Sequence, residues 1–304
     1  MRPVLLAIPS YHDLGRRLLA SADLEPGEVE RRTFPDGEKY QRILTPLRER
    51  HVVLLAGTAS DEDTLGAYDL ASAAVRYGAS RLTWLCPYFG YQTMERAVKP
   101  GEVVAAKTRA RLMSAVPQAP LGNQVVLMDL HADGIPHYFG DGVNAFHIYA
   151  KELALESARA FGGDDFILAA PDAGRAKWVQ SLANELRVEV AFVYKRRLSG
   201  EKTEVTGVDA RVEGRKVVIY DDMIRSGSTL VEAARAYRSK GAREVFAVTT
   251  HLVLPGDSLA RIREASVIDA IAGTDTHPRA RALEGPGLVV RSVAPLLARW
   301  LGDC

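Results

Sequence analysis

One stretch, residues 217–230, limits the fold of this chain more than any other. It contains an apolar, β-branched run (Val217–Tyr220), two adjacent acids (Asp221 and Asp222) and a serine- and glycine-rich loop (226–229), followed by an alanine-rich segment. An unbroken apolar run of this length is typical of a strand buried on both faces in a parallel sheet. The acids then lie at the carboxyl end of the strand, the edge where open α/β sheets bind ligands.

Strand and helix patterns alternate along nearly the whole chain. Helical spacing is clearest at residues 65–75, 153–161 and 231–237, and Ser60 with Asp63 resembles a capping box before the first of these. The predicted strands are Val52–Ala56, Leu82–Cys86, Val125–Leu130, Phe166–Ala170, Val188–Tyr194, Val217–Asp221, Glu244–Thr250 and Val267–Ala272. This alternation predicts an α/β fold in which largely parallel sheets are flanked by crossover helices.

The spacing of the strands indicates two α/β domains rather than one large sheet. A polar, glycine-rich break at residues 140–144 lies near the middle of the chain, so we place the boundary at residue 145. The domains are then 1–145 and 146–291. The terminal segment 292–304 has the spacing of a helix with one apolar face, and it is expected to pack either on the first domain or on a partner.

Composition excludes several classes of protein. The 304 residues are 47% hydrophobic and 25% charged, and 39 basic against 38 acidic residues give a formal charge of +1, so neither nucleic acid nor a membrane is an expected partner. The apolar run Pro3–Pro9 is too short for a signal peptide. The two cysteines cannot build a disulfide framework, and Cys86 reads as a core residue in a reducing compartment. The expected location is cytoplasmic.

The loop after Asp222 has the chemistry of a phosphate site. Its backbone N–H groups, its hydroxyls and the following helix N-terminus all attract an anion, and Gly227 allows close approach. The two acids suit ribose hydroxyls or Mg²⁺. Arg225 adds a fixed positive charge to the loop. Taken alone, the stretch is equally a strand-to-helix turn with a Ser/Thr cap.

Three other clusters carry candidate chemistry. Lys195-Arg196-Arg197 follows a predicted strand and begins a polar loop that is able to close over a polyphosphate, or is simply a solvated basic turn. Asp129, His131 and Asp133 lie near the end of an apolar run, within reach of a metal or phosphate, although a single His at a strand end is more often structural. The segment 33–38 places Phe34 before two acids, as in a purine site or an ordinary turn.

These clusters together resemble the ribose-phosphate pyrophosphokinase (phosphoribosyl pyrophosphate synthetase) family. The resemblance runs in one collinear order over roughly residues 5 to 275, which chance matches to short motifs do not produce. The matching blocks are Phe34–Glu38, Pro87–Tyr91, Val98–Pro100, Ala105–Lys107, Asp129–Asp133, Pro171–Gly174, Lys195–Arg197, Asp221–Thr229 and Thr250-His251. It implies two phosphoribosyltransferase-like domains and a homo-oligomer. It also implies transfer of the β,γ-diphosphoryl group of ATP to the 1-hydroxyl of ribose 5-phosphate, with Mg²⁺.

The resemblance also implies a role for each matching position. Phe34, Asp36 and Glu38 would hold adenine on a loop that reaches a neighbouring subunit's active site, and Arg96 would lie near the nucleotide phosphates. His131 and Asp172 would organise the Mg²⁺–diphosphate region, and Lys195, Arg197 and His131 would be catalytic. The residues implied for the ribose-phosphate site are Asp221, Asp222, Arg225, Ser226, Gly227, Ser228 and Thr229, with the two Asp residues on the ribose hydroxyls and 226–229 on the 5-phosphate.

Three segments depart from the family pattern. After Tyr91 the family has an Arg-Gln pair that contacts ATP, whereas this chain has Thr93-Met94, and methionine supplies neither the donors nor the charge. Arg225 replaces an acid of the family's loop, and an Arg cannot accept a hydrogen bond from a sugar hydroxyl. After Asp172 the family has Gly-Gly and then an Arg, whereas this chain has Gly174–Trp178 with Arg175 as its second residue.

Three hypotheses accommodate these departures. The first, which we favour, is a working synthetase with a changed nucleotide preference, so that the partner is ATP or another nucleotide. The second is an enzyme that acts at C1 of a ribose phosphate with a different phosphate donor or acceptor, where Arg225 would bind an extra phosphate. The third is a non-catalytic, nucleotide-binding homologue that regulates a true synthetase.

Overall fold

A computed structural model describes residues 1–171, 173–199, 202–208 and 211–303, with the side chains at 173, 194–199 and 202–208 left out. The chain divides into two compact units, Met1–Tyr149 with Ser292–Cys304, and Ala150–Arg291. The strands are β1 Val4–Ala7, β2 Glu25–Pro26, β3 Val29–Thr33, β4 Lys39–Ile43, β5 His51–Leu55, β6 Arg81–Cys86, β7 Asn123–Met128, β8 Val143–Ile148, β9 Ile167–Ala170, β10 Glu189–Ser199, β11 Lys202–Val208, β12 Lys216–Ile224, β13 Glu244–Leu252, β14 Ala270–Thr274 and β15 Leu288–Arg291. The helices are α1 His12–Ser21, α2 Asp61–Arg76, α3 Ala105–Ser114, α4 Lys151–Gly162, α5 Ala176–Leu186, α6 Ser228–Ser239, α7 Ser258–Glu264, α8 Ala280–Leu283 and α9 Ala294–Gly302.

The first unit is built on a parallel sheet of order β2-β1-β5-β6-β7-β8. Its central strands are buried on both faces, as the near-continuous apolar sequence of β5 predicts. The separate antiparallel hairpin β3–β4 pairs Thr33 with Lys39 at its tip. Helix α9 packs on α1, and Trp300 meets Phe146 edge to face at 5.6 Å between ring centroids.

The second unit is built on a sheet of order β11-β10-β9-β12-β13-β14-β15, parallel except for the β10–β11 pair. Strand β12 lies at its centre, and Val217, Val218 and Ile219 are fully buried. Alternate residues of β12 serve opposite faces of the sheet. Val217 and Ile219 belong to the apolar cluster that includes α6, whereas Val218 and Tyr220 belong to the cluster that includes α4 and α5.

The predicted α/β fold with parallel sheets is confirmed, and each predicted strand corresponds to an observed one. The predicted cap of α2 is also present, because Ser60 Oγ accepts a hydrogen bond from the Asp63 N–H at 3.0 Å. Helix α4 ends at Gly162, and the cap residue Gly163 has φ +77°. Cys86 is fully buried, as expected of a core residue.

Two expectations need correction. Residues 143 and 144, read as part of a polar break, begin β8, which pairs with β7, so residue 145 lies inside a strand of the first unit. The division into separate domains at residue 145 stays a prediction. The backbone of Lys195–Arg197, predicted to begin a loop, continues β10 to Ser199 and pairs with β11. Ladder hydrogen bonds with a neighbouring strand outweigh the polar composition of that segment.

No helix in the described part of the chain is long and apolar enough to span a membrane.

Candidate active site

The ribose-phosphate loop predicted from the sequence connects β12 to α6 at the carboxyl edge of the second sheet. Gly227 is the residue before α6 and has φ +79°, a left-handed conformation that favours glycine. A Cβ at this position would lie 2.5 Å from Ile262 Cγ1 and closer still to its Cδ1. Backbone conformation and packing therefore both require glycine at this turn.

Polar residues of the loop are exposed to solvent at the start of α6. Ser226 Oγ lies 3.1 Å from Ser228 Oγ, and both residues are exposed, as is Arg225. The first N–H groups of a helix have no partner within the helix, and its dipole adds partial positive charge there. Hydroxyls and helix N–H groups at this turn thus suit an anion, and Arg225 adds a positive charge to the same loop.

The two acids before the loop differ in their surroundings. Asp222 is 3% exposed, and its carboxylate forms an ion pair with Arg175, whereas Asp221 is half-buried. The Asp222 N–H donates to Asp221 Oδ1 at 2.9 Å. The contact with Arg175 directs the Asp222 side chain toward the start of α5. The pair is therefore not symmetric.

The segment 34–38 forms the tip of the β3–β4 hairpin. The Phe34 N–H donates to the Glu38 carbonyl and the Gly37 N–H donates to the Phe34 carbonyl, both at 2.9 Å. Asp36 Oδ1 accepts from the Glu38 N–H at 3.1 Å. The Phe34 ring is 45% exposed and meets Tyr40 edge to face at 6.1 Å. An exposed aromatic ring beside two carboxylates is available for stacking on a base.

Gln92 joins the segment of Arg96 to His131. Gln92 is 1% exposed, and its Oε1 accepts the His131 N–H at 2.8 Å. The Arg96 side chain is 79% exposed, and its Nε lies 3.5 Å from Glu95 Oε1. Tyr138 Oη donates to the Glu95 carbonyl at 2.6 Å. The bond between Gln92 and His131 therefore links the segment that carries Arg96 to the segment that carries His131, both within the first unit.

The block around His131 is also held by a second histidine. The Leu130 N–H donates to His147 Nε2 at 2.9 Å, and His147 Nδ1 lies 3.8 Å from Asp133 Oδ1. Asp129 has φ +40° and is buried, which turns the chain sharply after β7. Among the described residues, no group of three or more His, Cys, Asp or Glu side chains is arranged to hold a metal ion.

Three predicted site residues are outside the described residues, either wholly or by their side chains. Asp172 lies outside the described residues, and the side chains of Lys195 and Arg197 do so as well. The backbone register pairs Lys195 with Val205 and Arg197 with Thr203.

Comparison with known proteins identifies the family. Residues 4–116 match the model of the N-terminal domain of ribose phosphate pyrophosphokinase, and residues 143–272 match the phosphoribosyl transferase domain. A ribose-phosphate pyrophosphokinase of Methanopyrus kandleri is 36% identical over 90% of this chain and 92% of its own length. The chain belongs to the ribose-phosphate pyrophosphokinase family. Another family member, from Ralstonia nicotianae, is 36% identical over 87% of this chain and 83% of its own.

A solved structure is similar to this chain over its whole length. The crystal structure of phosphoribosylpyrophosphate synthetase from Mycobacterium smegmatis matches with a TM-score of 0.87 and 25% identity, covering 100% of this chain and 98% of that one. The sequence resemblance to the family is confirmed.

Sequence reasoning missed two residues that support the candidate site. The sequence did not indicate a role for Gln92, because glutamine is common in turns and only the structure shows its hydrogen bond to His131. Arg175 did carry a signal, since it lies in a segment that departs from the family pattern, yet its contact with Asp222 depends on strand order.

Proposed function

We propose that this chain transfers the diphosphoryl group of ATP to ribose 5-phosphate, giving phosphoribosyl pyrophosphate and AMP. The observation that carries the proposal is the β12–α6 connection, in which an acid pair is followed by a loop suited to an anion. It lies within a chain that a family member matches over 90% of its length. In the reaction the sugar's 1-hydroxyl loses its proton to solvent, and its oxygen bonds to the β-phosphorus. The bond from that phosphorus to the α,β-bridging oxygen breaks, and AMP leaves with this oxygen.

The sugar phosphate binds at the carboxyl edge of the second sheet in this proposal. The 5-phosphate lies against Ser226–Thr229, where hydroxyls and the first N–H groups of α6 donate to its oxygens. Asp221 accepts hydrogen bonds from ribose hydroxyls. Arg225 contributes a positive charge beside the phosphate rather than a contact to a hydroxyl, because a guanidinium has no acceptor.

The nucleotide is assigned to residues of the first unit. Phe34 stacks on the base, while Asp36 and Glu38 accept from its exocyclic amine. Arg96, which is largely exposed, pairs with phosphate oxygens. We propose that the exposed hairpin tip serves a neighbouring copy of the chain in a homo-oligomer. Met94 lacks hydrogen-bond donors, so a changed nucleotide preference is part of this proposal.

Charge neutralisation is the main chemical task, since phosphoryl transfer depends on positioning and electrostatic stabilisation. We assign Lys195 and Arg197 to the transferring diphosphoryl group, where their charges oppose those of the transition state. His131 is assigned to the same group, with its backbone fixed by Gln92.

We propose that Mg²⁺ binds near Asp172 and the substrate phosphates, with His131 not a direct ligand of the ion. The ion prefers oxygen ligands and usually binds through one or two carboxylates together with substrate phosphates. Asp172 supplies such a carboxylate, and the side chain of Asp133, beside His131, is 86% exposed. An imidazole suits other metals better, so we propose that His131 contacts phosphate oxygens rather than the ion. When bound, Mg²⁺ neutralises negative charge on the phosphates.

Product analysis tests the proposal and separates it from its alternatives. Purified protein is incubated with Mg²⁺, ribose 5-phosphate and, in turn, each nucleoside triphosphate, phosphate or pyrophosphate. Products are identified by mass, and nucleotide binding is measured by calorimetry. The proposal predicts phosphoribosyl pyrophosphate and a nucleoside monophosphate in equal amounts. Reaction only with phosphate or pyrophosphate, lost in Arg225→Asp, would favour the enzyme with another donor. Nucleotide binding without turnover would favour the regulatory homologue.

A further inference from the structure

Arg175 connects the start of α5 to the acid pair of the candidate site. It lies between β9 and α5, and its guanidinium forms an ion pair with the carboxylate of Asp222 in β12. The Arg175 side chain is 20% exposed and that of Asp222 is 5% exposed. The contact therefore lies below the surface of the sheet edge that carries the sugar-phosphate loop.

The position of Arg175 is unfavourable for its own helix. A positive charge at a helix N-terminus opposes the macrodipole. The first turn of α5 contains no acidic residue, and Lys177 adds a second positive charge. Local helix energetics thus do not account for an Arg here. A buried carboxylate, by contrast, requires a counter-charge or hydrogen bonds, and Arg175 supplies the counter-charge to Asp222.

One hydrogen bond links the Arg175–Asp222 ion pair to the other acid, Asp221. The N–H of Asp222 donates to Oδ1 of Asp221 at 2.9 Å. This bond fixes one carboxylate oxygen of Asp221, and its direction depends on where the backbone of Asp222 is held. A contact that anchors the Asp222 side chain to α5 therefore also orients Asp221.

We propose that Arg175 is a positioning residue for recognition of the sugar phosphate, an inference that rests on the proposed function. It holds Asp222 on the α5 side of the sheet, and the Asp222 N–H then aims Asp221 at the ribose hydroxyls. The two adjacent acids have different tasks: Asp221 recognises the sugar, and Asp222 is the anchor.

Steady-state kinetics of Arg175→Gln and Arg175→Lys test the proposal. Arg187→Gln is the matched control, because it removes the same charge from the exposed far end of α5. We expect Arg175→Gln to raise the KM for ribose 5-phosphate by about tenfold, a size typical of residues coupled in one network. The KM for ATP should stay within about twofold of the wild-type value, since no nucleotide residue is touched. Arg175→Lys, which keeps the charge but not the planar fork, should lie between wild type and Arg175→Gln.

A double variant separates positioning from general stability. If Arg175 acts through Asp222, then Arg175→Gln combined with Asp222→Asn should raise the KM for ribose 5-phosphate no further than the larger single change. Unaltered KM for ribose 5-phosphate in Arg175→Gln, with only a lower melting temperature, would overturn the inference, and so would an additive double variant. Failure of the wild-type protein to bind or convert ribose 5-phosphate would instead refute the proposed function itself.

Discussion

Gly227 is the residue at which the candidate phosphate loop is most tightly constrained, and Gly227→Ala is the perturbation that measures this. The change introduces two costs. A residue with a Cβ in the left-handed conformation costs about 1–2 kcal/mol, and the φ here is +79°. The new Cβ would also lie 2.5 Å from Ile262 Cγ1, and overpacking of a core typically costs about 1–3 kcal/mol. Together they predict destabilisation of about 2–5 kcal/mol.

A second glycine separates the two costs. Gly214 has φ +69°, and a Cβ there would meet nothing within 4 Å. Gly214→Ala should therefore carry the conformational cost alone, about 1–2 kcal/mol. Ile262→Val, which normally costs about 0.5–1.5 kcal/mol, should cost less in the Gly227→Ala background because it removes one of the crowded atoms.

Urea unfolding, followed by circular dichroism, gives the free energies of unfolding of the three single variants and of the Gly227→Ala/Ile262→Val double variant. The KM for ribose 5-phosphate reports on the conformation of the loop. We expect Gly227→Ala to raise that KM, because relief of the contact moves the backbone N–H groups of residues 227–229. Equal destabilisation by Gly227→Ala and Gly214→Ala, together with an unchanged KM, would refute the reasoning.

Two further predictions concern buried titratable groups. Burial lowers the pKa of His277 to about 4, with His251 and Arg279 adding to the shift, so its neutral form is favoured in the folded state. This residue alone should lower the free energy of unfolding by up to about 3 kcal/mol as pH drops from 6.5 to 4, a window in which buried His51 also titrates. His277→Gln should flatten this part of the stability–pH curve, and an unchanged slope would contradict the assignment. Burial raises the pKa of the Cys86 thiol to about 12, so in a Cys304→Ser background iodoacetamide should label Cys86 only after unfolding, and rapid labelling of the native protein would show the thiol to be accessible.

Periodicity predicted the strands whose sequence is apolar on both faces, because burial in a parallel sheet leaves a direct compositional trace. Strand β12 and its acids are the clearest case. The hairpin β3–β4 left little trace, since its sequences VERRT and KYQRI are rich in charge. Strand β8 begins within a glycine-rich stretch, and its pairing with β7 was not visible locally.

The candidate site was predictable where one segment carries the chemistry and unpredictable where two segments meet. The loop 226–229 and the hairpin tip 34–38 are local turns whose residues specify their own backbone. The ion pair of Arg175 with Asp222, and the bond from His131 to Gln92, join residues that are distant in sequence. Such contacts are set by strand order, which the spacing of motifs does not specify.

Phosphorus NMR of a single reaction tests diphosphoryl transfer most directly. With Mg²⁺, ATP and ribose 5-phosphate, we expect the β- and γ-phosphorus signals of ATP to convert together into the diphosphate of phosphoribosyl pyrophosphate, at the rate at which AMP appears. Asp221→Asn should abolish this conversion at low ribose 5-phosphate. Appearance of ADP or inorganic phosphate as the first product, or an unchanged ATP spectrum, would contradict it.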